Sequence, residues 1–253
     1  MSRITILCLA ITLSGITLDG RGAEKVVSTW PGFRGNGDSH TAASRLPVTW
    51  ELRGRRAGSW TIRLPGYGQS SPVVWGEMVF VTAVSGDEKE HLHVLAISLQ
   101  DGKTLWKKDF AATQRVPDGD AVSRGAPTPV VDAERLYAVF ESGDAIALSH
   151  AGDVLWQRSF VKDYGDIKGP HGYSSSPVLA GDALVLQVAH AGPSYLLALD
   201  KATGQPFPKW IACGRSPKRG QRGCRGDTSR SPRSRNTCGP SIASIPRRGL
   251  RTT

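Results

Sequence analysis

Three stretches of this chain lie over one another residue for residue: ten residues from Pro72 (PVVWGEMVFV), from Pro129 (PVVDAERLYA) and from Pro177 (PVLAGDALVL). Each is a short apolar run, a polar turn and a second run rich in Val, Leu and aromatics. Two strands joined by a tight hairpin is the reading this pattern forces. A second block follows each time, reading LHVLAISLQDGKTLWKKDF, DAIALSHAGDVLWQRSF and SYLLALDKATGQ. Its anchoring alanines, Ala96, Ala147 and Ala198, recur at equal intervals, and Gly102, Gly152 and Gly204 mark the turn after them. Trp106 and Trp156 open a last strand, with Phe110 and Phe160 four places on, where a strand returns to the same face.

Each unit thus predicts four short antiparallel strands. A single sheet of that size has two apolar sides and cannot cover both. Stacking such sheets on copies of themselves around an axis solves the problem, which is the propeller arrangement. A plain β-sandwich is the competing reading, and the gapless alignment disfavours it. The fold expected is all-β, an incomplete β-propeller of three four-stranded blades over 66–205. Ahead of it, in 24–65, Ser59–Leu64 repeats the Trp-to-apolar spacing of the outer strands without the strands that should precede it. It reads as a lone outer strand that would close a ring.

After Gly204 the pattern breaks. A tryptophan is due near position 208, yet the chain reads Gln205-Pro206-Phe207-Pro208-Lys209-Trp210, and two prolines argue against a ladder strand. Charge changes at the same point. Of the 32 Lys+Arg and 22 Asp+Glu in the chain, residues 206–253 hold 12 and 1, leaving 20 and 21 for residues 1–205. The net charge of +10 is therefore +11 in the tail and −1 in the body, and a basic pI says nothing of what the blades bind. The tail, 206–253, is too poor in apolar residues to offset chain entropy and is expected to be disordered. It is either a basic arm for nucleic acid, phospholipid or an acidic partner, or the product of a shifted reading frame; the abrupt break inside a repeat favours the second. In the second case Arg225-Gly226-Asp227 and the Arg/Ser run at Ser231–Arg235 are chance.

Residues 1–23 read as a signal peptide: Arg3, an apolar run from Ile4 to Leu18, and a cleavage site near Ala23, with Arg21 imperfect for it. Export to the periplasm or exterior is expected, with no transmembrane span. The four cysteines, Cys8, Cys213, Cys224 and Cys238, all lie outside the blades and form no CxxC pair, so packing alone must hold the body.

With these residues in view, 30–205 resembles the pyrroloquinoline-quinone-type repeat propellers of bacterial secreted proteins. The matching pieces are Trp30-Pro31-Gly32-Phe33-Arg34-Gly35, Leu46-Pro47-Val48-Thr49-Trp50, Gly68–Gly76, the strands ending LHVLAI, the turns before Trp106 and Trp156, and Tyr195–Asp200. The resemblance implies the fold firmly and activity weakly, because such propellers include quinone-dependent dehydrogenases, a barrel-assembly lipoprotein and non-catalytic scaffolds. Complete members would have roughly seven or eight blades. The dehydrogenases hold their cofactor over calcium with Glu, Asn and Asp, beside a vicinal disulfide. Here the asparagines are Asn36 and Asn236, outside the blades, and no vicinal Cys exists.

Other candidates weigh little. His91 and His93 could start a metal site but lack an evident third ligand, and His171 sits in a loop before the third blade where a turn explains it. Gly35-Asn36-Gly37-Asp38-Ser39 follows no strand and opens no helix, so a phosphate cradle is not expected. Asp87, Glu88, Glu90, Asp118 and Asp120 read as solvated turn residues. No catalytic, cofactor-binding or metal residue is therefore assigned and no cofactor expected. The reading is a non-catalytic binding scaffold for a protein or peptide, with self-association possible through open sheet edges. The alternatives are a quinone-dependent oxidoreductase fragment, and a nucleic-acid or membrane-surface binder acting through the tail.

Overall fold

The computed structural model describes residues 28–40, 60–117, 124–169, 173–192, 194–207 and 212–214. The signal peptide, His171, Asp118, Asp120, Asn236 and most of the basic tail lie outside them. Among the described residues no helix is long and apolar enough to cross a membrane.

Three antiparallel sheets form, one per repeat. The first blade holds β1 (Thr29–Trp30), β2 (Val73–Trp75), β3 (Met78–Ser85), β4 (His91–Ser98) and β5 (Thr104–Ala111), in that spatial order. The second holds β6 (Val130–Val131), β7 (Arg135–Val139), β8 (Asp144–Ser149) and β9 (Val154–Ser159). The third holds β10 (Val178–Ala180), β11 (Ala183–Val188), β12 (Ser194–Asp200) and β13 (Ala212–Gly214). The aligned hairpins appear as expected: Trp75 pairs with Met78, Val131 with Leu136 and Ala180 with Ala183. The anchoring alanines occupy one ladder position, Ala96 opposite Phe80, Ala147 opposite Tyr137 and Ala198 opposite Val185.

Packing is shared between sheets, as the argument from uncovered faces requires. Phe80, Leu92, Val94 and Ala96 of the first blade form one core with Leu136, Ala138, Phe140, Ile146 and Leu148 of the second. The opposite side of the second, with Tyr137, Val139, Ala145 and Ala147, packs on Leu184, Leu186, Val188, Leu197 and Leu199 of the third. Fully burying an aliphatic or aromatic side chain contributes about 1.5–3 kcal/mol, so these two interfaces are the main source of cohesion.

The tryptophans bind neighbouring blades together. Trp106 Nε1 donates to His150 O at 2.8 Å and Trp156 Nε1 to Lys201 O at 3.0 Å, each reaching the turn of the next blade. Trp60 Nε1 does the same to Leu99 O of the first blade at 3.0 Å. Trp60, Ile62 and Leu64 cover Val79, Leu95 and Ile97 on that blade's outer side. Residues 60–64 make no ladder among the described residues and so are not a strand here. They nevertheless lie where a preceding blade's outer strand would lie.

Three features depart from the sequence reading. After β9 the chain turns into a short helix, α1 (Phe160–Tyr164), whose N-cap Ser159 accepts from Lys162 N, so Phe160 reaches the core from a helix and not from the strand. The first blade gains β1, with Thr29 opposite Trp75 and Trp30 opposite Val74. The third blade does not end at 205. Pro206 bridges to Leu199, Phe207 N donates to Ala198 O at 3.0 Å, and β13 pairs Ala212, Cys213 and Gly214 with Leu196, Tyr195 and Ser194. Pro206 does not abolish the pairing, because it sits opposite Leu199 where no N–H is needed, between the bonds Asp200 N to Gln205 O and Phe207 N to Ala198 O. In the two preceding blades the outer strand sets a tryptophan against the anchoring alanine, Trp106 opposite Ala96 and Trp156 opposite Ala147.

Candidate functional site

The hairpin turns that join the middle strands and the connections between blades meet at one end of the stack. Their backbone groups are tied across blades. Gln114 donates from Nε2 to Ile167 O at 3.0 Å and accepts from Ile167 N at 3.0 Å, which clamps the two connections together. Gln69 N donates to Arg124 O and Arg124 N returns the bond to Gln69 Oε1. Loops held by such reciprocal bonds present their side chains from fixed positions.

A cleft of about 460 Å³ opens at this end, lined by Thr113, Asp144, Gln157, Arg158, Lys162 and Asp163 among others. Asp144 is buried and saturated: it accepts from Thr113 N (2.7 Å), Thr113 Oγ1 (2.6 Å) and Ser142 Oγ (2.7 Å). Arg158 Nε approaches Asp163 Oδ2 to 2.8 Å but out of line for a hydrogen bond. Lys162 is exposed on α1 and forms no ion pair among the described residues. The cleft is polar, carries both signs of charge and suits a charged or amide side chain of a partner better than an apolar ligand.

Beside it lies the buried Glu141. Its Oε1 accepts a short bond from Gly125 N, while Oε2 has no hydrogen-bond partner. Burial raises its pKa, against the backbone bonds and Lys89, which lower it. Position 141 follows Phe140 in the turn after β7, and no pattern in the repeat singles it out.

Of the sequence candidates, His93 has the most developed surroundings. Its Nδ1 lies 2.6 Å from Asp109 Oδ1 and its Nε2 lies 2.8 Å from Ser85 Oγ. Asp109 also pairs with Lys107 at 2.9 Å, and its pKa is lowered by the His93 bond first and Lys107 next. Serine, histidine and aspartate in this order are the parts of a nucleophilic triad. The serine, however, lies against Gly66: a Cβ built there would stand 2.9 Å from Ser85 Cβ and 2.1 Å from Val84 O. Gly66 thus lies against the serine, and the array fastens β3, β4 and β5 together. Both imidazole nitrogens are used, so His93 has no lone pair for a metal. His91 is exposed and 4.0 Å from Glu90. No group of three or more His, Cys, Asp or Glu suited to a metal occurs among the described residues.

The Gly35–Ser39 stretch turns its amides inward, Gly35 N to Gly32 O, Gly37 N to Arg34 O and Ser39 N to Arg34 O. Sequence reasoning missed a contact that the alignment carries. The residue before each anchoring proline is Ser71, Thr128 or Ser176. Ser71 N donates to Thr128 Oγ1 at 3.0 Å, and Thr128 N to Ser176 Oγ at 3.0 Å. This hydroxyl row links the inner strands from blade to blade; the signal was the shared hydroxyl, one place upstream of the prolines.

Comparison with known proteins agrees with the repeat. A family model described as outer membrane protein assembly factor BamB, of the PQQ-like repeat type, matches residues 57–212. The outer membrane protein assembly factor BamB of Xanthomonas campestris pv. campestris is 33% identical over 137 residues, 53% of this chain and 29% of that protein. The chain therefore spans less than a third of that curated relative. Among solved structures, a europium-containing methanol dehydrogenase shares 18% identity at TM-score 0.44, over 61% of this chain and 27% of its own. BamB from Moraxella catarrhalis shares 18% at TM-score 0.40, over 57% and 40%.

Proposed function

Taking as premise that the chain belongs to the PQQ-like repeat family of the outer membrane protein assembly factor BamB, we propose that it is a non-catalytic scaffold of the cell envelope. It would hold a protein or peptide partner of outer-membrane assembly at the loop end of the stack. The observation that carries this reading is the cross-blade clamping of that end around a polar cleft. Gln114 and Ile167 fix the frame, and Arg158, Lys162 and Asp163 offer charge to a partner. Charged rims of this sort choose partners and set association rates more than they add affinity. The His93 array supports the same reading, since its bonds are spent on joining strands.

The test is a photo-crosslinking amino acid at position 162, compared with one at position 103 in the turn at the opposite end, in cells of the source organism. Adducts with an outer-membrane assembly protein from 162 and none from 103 are expected. Equal labelling from both positions, or none from 162, would show that this end is not the binding face. Cofactor-dependent dye reduction by purified protein supplied with pyrroloquinoline quinone and calcium would overturn the non-catalytic reading.

A further inference from the structure

The first two blades end on the same kind of outer strand, yet the two edges differ. Among the described residues no backbone bond reaches the outer side of β5 or of β9. Just past each strand an amide bonds inward, Ala112 N to Glu90 O and Phe160 N to Gly143 O. Bonds in an antiparallel ladder alternate, so Lys107 and Asp109 of β5, and Gln157 and Ser159 of β9, turn their amides outward. At those positions β5 carries an ion pair, Lys107 Nζ to Asp109 Oδ2 at 2.9 Å, with Lys108 between. β9 carries the uncharged Gln157 and Ser159. Its Arg158 is turned away to Asp163 and to Gly204 O, and Val154 and Leu155 before it are each 46% exposed. Charged residues along an edge keep other strands from adding to it. β5 has that guard and β9 lacks it.

The polar cleft lies at the end of this unguarded edge, where Gln157, Arg158 and Ser159 all line it. Successive side chains of a strand point to opposite faces, so a space touched by three in a row runs along the edge and not over one face. Within the cleft the oxygens of Asp144 are taken by Thr113 and Ser142, and Arg158 faces Asp163. The Lys162 ammonium is the charge left unmatched among the described residues. We infer, on the footing that the chain is a protein-binding scaffold, that β9 takes up an extended segment of its partner as a further strand, and that an acidic side chain of that segment enters the cleft toward Lys162. Main-chain bonds to Gln157 and Ser159 hold the segment, and Leu155 meets an apolar residue of it. Lys162 selects the carboxylate.

A photo-crosslinking amino acid at position 155 of the full chain, in cells of the source organism, reads the pairing. The captured stretch should hold Asp or Glu within about six residues of the attachment point, the reach from Leu155 to the cleft at ~3.3 Å per residue. Gln157→Pro removes an outward N–H and no ladder bond to β8, so the protein should melt as the parent does while the adduct falls at least about tenfold. Lys107→Pro, the same change on β5, should leave the adduct as it is. Lys162→Glu tests the carboxylate on an exposed side chain without touching the strand, and should also lower the yield about tenfold. An adduct that survives Gln157→Pro or Lys162→Glu, or a captured stretch without an acidic residue, would overturn the inference. So would no adduct from 155 beside a strong one from 162, an outcome that leaves the scaffold reading standing. Silence at both positions would remove the two together.

Discussion

Trp106 lies flat against Gly152 of the next blade: a Cβ built on that glycine would stand 2.9 Å from Trp106 Cδ2. Trp60 meets Gly102 and Trp156 meets Gly204 in the same way, at 2.6 and 2.7 Å. The glycine is fixed twice, by a positive φ (92° at Gly152) and by the ring above it. The indole in turn is held by its bond to His150 O. One residue pair thus sets the spacing between consecutive sheets.

Gly152→Ala should therefore destabilise by about 1–3 kcal/mol, combining backbone strain with displacement of the ring. Gly181→Ala is the control. Gly181 has φ 61° but nothing within 4 Å of its Cβ, so strain alone should act and the loss should be smaller. Urea midpoints of the two variants against the parent decide it.

Thr128→Val removes the acceptor of Ser71 N at a position 1% exposed. An unsatisfied buried N–H costs about 1–3 kcal/mol, whereas Thr128→Ser keeps the hydroxyl and should recover most of that. Parallel denaturant titrations of the three proteins measure the difference.

Glu141 makes stability depend on pH in a stated direction. Its pKa is raised in the folded protein by burial, so the native state binds more proton than the unfolded chain between the ordinary value of 4.5 and the raised one. Stability must therefore fall as pH rises through that window. Glu141→Gln keeps an acceptor for Gly125 N and removes the charge. The variant should be more stable than the parent at neutral pH, and the gap should close below about pH 4. Thermal melts across pH 4–8 would show it; an unchanged gap throughout would refute it.

His93 should be found as the Nδ1–H tautomer, donating to Asp109 and accepting from Ser85 at Nε2. Nitrogen chemical shifts of the imidazole read the tautomer directly. Zinc added to the protein should leave those shifts in place, because neither nitrogen is available to it. His93→Ala should lower stability by about 1 kcal/mol, because Ser85 loses its partner while the half-exposed Asp109 keeps Lys107.

The repeat alone determined the blades. Equal spacing of Ala96, Ala147 and Ala198 and the prolines before each hairpin gave the strand order and its turns, because alternation and turn chemistry are local properties. It also pointed to Trp106 and Trp156 as packing residues on one face. Only the tertiary structure decided what that face meets. That Trp106 reaches His150 O, that Ser71 reaches Thr128, and that Ser85, His93 and Asp109 converge from three strands depends on ladder register and on stacking between sheets. Those relations join residues distant in the chain, and no local pattern records them. The same holds for the outer side of the first blade, where Trp60, Ile62 and Leu64 lie over Val79, Leu95 and Ile97 through contacts between residues far apart in the chain.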